Sequence, residues 1–174
     1  VRAGSALPVR VRNSGPLPAG GFDAAALADL ATALPRVRFV LGAGSLPTGS
    51  LLRMARLPNV YVLLTELLVA LRRTPVDAAR ALGELMAAFG PERLMFGSGY
   101  PLVRPARLVR EFATFRYPAE LRGEFPELDV DARRAVLGET AARLYQLPAG
   151  RSAGGAGVGP EVAAPEARRS SPMR

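Results

Sequence analysis

The sequence predicts an α/β protein built from about four strand–helix units around a parallel sheet. Three observations predict it. Short runs rich in Val, Leu and Phe alternate with stretches whose apolar residues recur at helical spacing. The strand runs are apolar on both faces at their centres, as strands buried between helices must be. With 174 residues the chain can bury a real core in one domain. Four units nevertheless cannot close an eight-stranded barrel, which typically takes ~250 residues. A truncated barrel or a small open sheet follows.

The elements are expected in this order. Pro8-Val-Arg-Val-Arg12 reads as the first strand, ended by Asn13-Ser-Gly-Pro16. Asp23 is placed to cap a helix with Leu27, Leu30 and Leu34 on its inward side, stopped by Pro35. Val37-Arg-Phe-Val-Leu41 is the second strand and opens into Gly42-Ala-Gly-Ser-Leu-Pro47. A short helix around Ser50 to Arg56 leads to the third strand, Val60-Tyr-Val-Leu-Leu64. Thr74-Pro75-Val76-Asp77 starts a helix, with a Thr cap, Pro at the first helical position and an acid in the first turn. It turns Leu82, Leu85, Met86 and Phe89 inward and ends at Gly90. Arg93-Leu-Met-Phe96 is the fourth strand, and Gly97-Ser-Gly-Tyr-Pro101 follows it. Helices near Pro105 to Phe115 and Asp131 to Tyr145 complete the folded domain, residues 1–147. Residues 148–174 alternate Gly with Ala and carry Pro160, Pro165 and Pro172 but no Leu, Ile or aromatic residue. Such a stretch cannot bury enough apolar surface to offset its ordering entropy, so a disordered tail is expected.

Composition excludes much chemistry. The chain has no Cys and no His, which removes disulfides, thiol nucleophiles, His-based triads and imidazole-ligated metals. No apolar stretch approaches the ~20 residues of a membrane span. No basic-then-apolar leader opens the chain, so a cytoplasmic protein is expected, with no membrane partner. The net charge of +8 comes from 23 basic residues, all Arg. They are spread along the chain, with 19 Arg against 13 acids in residues 1–147. A nucleic-acid groove needs them clustered, so nucleic acid is not the expected partner.

Function in parallel α/β folds gathers at the carboxyl ends of the strands. Those ends are Arg12 and Asn13, Ala43 and Gly44, Thr65 and Glu66, and Ser98 and Gly99, with Glu66 as their single carboxylate. Two loops imitate known motifs. Gly44-Ser-Leu-Pro-Thr-Gly49-Ser50 lacks the Lys of a phosphate loop, and Pro47 removes a backbone donor and fills the third glycine's place in a dinucleotide fingerprint. Ser98 between Gly97 and Gly99 imitates a nucleophile elbow, but no base is available to activate it.

Three segments carry a resemblance: Asn59-Val-Tyr-Val, then Phe89-Gly-Pro-Glu-Arg-Leu-Met-Phe-Gly-Ser-Gly-Tyr-Pro101, then Ala135-Val-Leu-Gly-Glu-Thr-Ala-Ala-Arg-Leu-Tyr145. In order and spacing, over roughly residues 7–147, the chain resembles the C-terminal half of the amidohydrolase-related metal-dependent hydrolases. The resemblance implies a partial (β/α)8 barrel, its C-terminal half. It also implies metal-binding His at the ends of the family's fifth and sixth strands and an Asp at the end of the eighth, around a divalent ion, typically zinc. The ion activates water and polarises the scissile bond. These positions fall at Arg12, at or near Ala43, and at Gly99. All three lack a metal donor, and Arg12 adds a fixed positive charge.

The expectation is therefore an amidohydrolase-like domain, catalytically degenerate in this chain, with no bound metal, acting as a binding or assembly piece. Its partner would be a second copy or an N-terminal half barrel. A small anionic ligand could sit at the mouth on Arg12, Glu66, Ser98, Tyr100 and Arg104. The alternative is an active metal-dependent hydrolase or decarboxylase whose ligands lie in an N-terminal half outside this sequence.

Overall fold

The computed structural model describes residues 8–11, 23–101 and 103–147. Arg12 and the expected tail, 148–174, lie outside the described residues. Four parallel strands lie side by side in sequence order: β1 (Val9–Val11), β2 (Phe39–Gly42), β3 (Val60–Leu63) and β4 (Leu94–Met95). Phe39 pairs with Val9 and Val60, and Val62 with Leu94, so the strands are in step along one ladder. Sequential parallel neighbours with helices between them match the α/β class the sequence predicts.

The helices are α1 (Ala24–Ala33), α2 (Thr48–Met54), α3 (Thr65–Ala70), α4 (Pro75–Phe89), α5 (Pro105–Ala113), α6 (Val130–Arg134) and α7 (Thr140–Leu144). A π-helical turn, Ala135–Glu139, joins the last two. Residues alternate across each strand. Phe39, Leu41, Val60, Val62 and Leu94 face the helices and form the main core with Leu51, Leu82, Leu85 and Phe112. Val40 and Met95 face the other way, where Leu144 buries them together with half-buried Tyr61 and Leu63. The closing helix thus reaches the face of the sheet opposite the main core.

Several expectations are refined. Asp23 caps α1, accepting from the Ala25 N–H at 2.9 Å. The helix buries Ala31, however, and leaves Leu30 and Leu34 more than two-fifths exposed. The small side chain lets the helix approach closely, and the buried Asn59 amide then donates to the carbonyls of Ala31, Leu34 and Val37 at 2.9, 3.2 and 3.0 Å. Thr74 makes no side-chain cap for α4, since its hydroxyl turns back to the Ala70 carbonyl. The residues after β3 form the helix α3, which the sequence does not announce because its apolar run merges with that of the strand. The expected fourth strand shortens because Pro91–Arg93 forms a 3₁₀ turn.

Arg93 holds the amino end of the sheet together. Its guanidinium donates to the carbonyls of Phe89, Ala55, Leu57 and Ala88 at 2.8 to 3.3 Å and lies 4.9 Å over the Phe89 ring. The Thr140 hydroxyl donates to the Pro91 carbonyl at 2.9 Å, which ties α7 to the same end. No helix among the described residues is long and apolar enough to cross a membrane.

Candidate functional site

The carboxyl ends of the strands form the rim of a cleft of about 750 Å³. Arg10, Thr65, Glu66, Ser98 and Tyr100 supply its polar groups, while Leu63 and Phe96 supply apolar walls. Strand alternation sets who shares a face: Arg10, Val40, Gly42, Leu63 and Met95 lie on the side opposite the main core. At and beyond the strand ends, Arg10 and Gly42 hold this side by alternation, and Thr65 and Gly97 line the cleft.

The two glycines are forced by their neighbours. A Cβ on Gly97 would collide with the Thr65 hydroxyl, and one on Gly42 would lie 2.7 Å from Ser45 Oγ and 3.4 Å from Glu66 Oε2. Two residues on, a Cβ on Gly44 would lie 2.8 Å from the Glu66 Cβ and Cγ. Glu66, in the first turn of α3, lays its side chain across this loop. It has no ion-pair partner within 4.0 Å among the described residues, and Arg10 stands on the cleft wall without one either. Gly99 has φ +64°, a left-handed conformation that glycine adopts freely, and a Cβ there would stand 3.1 Å from Thr65 Cγ2.

Each expected site residue now has a place. Glu66, Ser98 and Tyr100 meet in the cleft; Ser98 Oγ accepts from the Tyr100 N–H at 3.3 Å, and the Tyr100 side chain is exposed. Arg104 is the residue before α5, exposed and outside the cleft lining. Arg12 lies outside the described residues. Ala43 packs against the helix-side core, so the residue of that strand end on the opposite side is Gly42. Arg10 also lines the cleft; it is not the last residue of its strand, and its side of the sheet follows from its alternation with Val9 and Val11.

The donor set does not fit a divalent metal. Catalytic zinc commonly takes three protein ligands and a water, and harder ions take several carboxylate oxygens. The rim offers one carboxylate, three hydroxyls and a guanidinium. Among the described residues no three acidic side chains gather at a common point, and the sequence contains neither His nor Cys. The groups present can hydrogen-bond and can pair with charge of either sign.

A parallel row of β/α units with its polar cleft at the carboxyl edge has the form of part of a (β/α)8 barrel. The chain belongs to the amidohydrolase family, since the Amidohydro_2 family model matches residues 14–147. Two solved structures of an amidohydrolase from Burkholderia multivorans are similar to it, one with bound zinc and one with bound HEPES. They are 27% and 26% identical, each with a TM-score of 0.53, over 72% of this chain and 49% and 50% of theirs. Amidohydrolase 2 from Bifidobacterium longum subsp. infantis is 19% identical with a TM-score of 0.47, over 80% of this chain and 50% of its own. No curated protein matches significantly. The chain spans about half the length of these solved relatives.

Proposed function

We propose that this chain is a catalytically degenerate amidohydrolase-family domain, residues 1–147, that works as a cytoplasmic binding or assembly piece rather than as a hydrolase. One observation carries the reading. Arg10, Gly42, Thr65 and Gly97 stand at or just beyond the strand ends, with Glu66 the lone carboxylate among the described rim residues. A site built this way can bind a small ligand through Arg10, Glu66 and Ser98. Among the described residues it has one carboxylate, too few donors to hold a water-activating metal. As an assembly piece the domain meets a second copy or an N-terminal half barrel along β1, where Val9 is 48% exposed.

The test is an assay of the purified chain against ester, lactone and amide substrates with added zinc or manganese. The expected outcome is the uncatalysed rate. Metal-dependent turnover abolished by Glu66→Gln would overturn the reading. Light scattering after size exclusion checks the assembly role; a dimer or larger complex is expected, and a lone stable monomer counts against it.

A second reading is favoured by the coverage of about half of a zinc-bound relative. In it, metal ligands from an N-terminal half complete an active hydrolase or decarboxylase. A strand bearing His-x-His encoded upstream of Val1 in the same reading frame supports this reading, and its absence removes it.

A further inference from the structure

A second hollow lies outside the mouth, on the helix side of the sheet, between the end of α3 and α5. It has a volume of about 280 Å³. Its floor is Leu68, Leu108 and Phe112, each 2% exposed, and half-buried Phe115 forms a wall. A cavity of roughly 150 Å³ is enough to take up benzene, so this one has room for an aromatic ring with a short arm.

The charge around it is lopsided. Arg72 and Arg116 stand at its edge against a single acid, Glu111. Glu111 is already engaged, with Arg107 at 2.8 Å and Arg72 at 3.9 Å. Arg116 has no carboxylate within ion-pair distance among the described residues, and its one hydrogen bond goes to the Phe115 carbonyl at 3.0 Å. The buried Arg133 donates to that same oxygen at 2.9 Å, and its other bonds also end on neutral carbonyls, those of Leu128 and Phe112. Two guanidinium groups therefore converge on one carbonyl at the wall of an apolar hollow. Burial first, and then Arg116, pull the pKa of Arg133 below its ordinary value, with Glu127 and Asp129 acting the other way. An anion beside Arg116 relieves that repulsion, and the apolar floor selects what the anion is attached to.

We propose that this hollow binds a small free monocarboxylate with an aromatic body, its ring on Leu68, Leu108 and Phe112 and its carboxylate on Arg116. The site is separate from the strand-end cleft, so the two readings stand or fall independently.

The experiment is an amide-resolved NMR titration of the full chain with 3-phenylpropionate, 3-phenylpropanol and inorganic phosphate. The expected result is saturable, sub-millimolar binding of the carboxylate, with shifts centred on Leu68, Phe112 and Arg116. The alcohol and phosphate bind more weakly. Arg116→Gln, an exposed change that leaves the floor intact, lowers carboxylate affinity about fivefold. Shifts centred on Thr65 and Ser98, equal binding of the alcohol or of phosphate, unchanged affinity in Arg116→Gln, or no saturable binding would each overturn the proposal.

Discussion

The Phe96 N–H donates to the carbonyl of Val136 at 2.8 Å. The neighbouring Leu64 N–H donates to Met95 at 2.9 Å, so the backbone groups of Phe96 point away from β3, toward the open side of β4. That is where a further strand would pair. Val136 lies in the π-helical turn, which widens the helix by one residue and brings a carbonyl to the strand. A helix thus covers part of a sheet edge that would otherwise invite pairing.

Hydrogen exchange reads this contact directly. The Phe96 amide is expected to be protected about as well as that of Leu64. Deleting Gly138, which would shorten the π turn, is expected to cut Phe96 protection about tenfold or more and leave Leu64 protected. Rapid exchange at Phe96 in the unaltered chain would show that the edge is open.

Three glycines separate close packing from simple chain freedom. Gly97→Ala drives a methyl into the Thr65 hydroxyl, and Gly83→Ala drives one into the Phe125 ring. Each is expected to cost about 1–3 kcal/mol in urea unfolding. Thr65→Ala should recover much of the first loss and Phe125→Leu much of the second. Gly49, in α2, has nothing within 4 Å of a built Cβ. Gly49→Ala is expected to stabilise by about 0.5–1 kcal/mol, as a helical Gly replaced by Ala does where space allows. Equal effects at all three positions would contradict the packing described.

Tyr117 is 4% exposed, packs against Phe115 and Phe125, and its hydroxyl has no hydrogen-bond partner among the described residues. Burial first and then the Glu127 carboxylate raise its pKa above the ordinary 10.0, with Arg133 opposing. The fold therefore favours the neutral phenol. Its stabilising share is whole below the unfolded pKa of 10.0 and is lost as pH rises through the higher folded value. Tyr117→Phe is expected to raise stability by about 1 kcal/mol at neutral pH and to flatten the loss above pH ~10. A clear destabilisation at neutral pH would mean the hydroxyl has a partner.

Much of the fold was legible because periodicity is a property of the chain itself. The spacing of Leu82, Leu85 and Phe89 and the cap at Asp23 each found their place. Asn59 and Arg93 stand in the segments that carry the resemblance, and the structure gives both work on backbone carbonyls. What escaped depended on tertiary partners. The π turn answers to the β4 edge, and Ala31 is buried because a neighbouring amide draws α1 close. At the mouth, Glu66 and Ser98 were placed by their strand ends, while Arg10 and Gly42 required the alternation of β1 and β2 to be read.

The central claim, that the strand ends no longer present metal ligands, is tested most directly by calorimetric titration of the purified chain with zinc at neutral pH. The account predicts no saturable heat beyond dilution. A stoichiometric, micromolar binding isotherm that disappears in Glu66→Gln would contradict it.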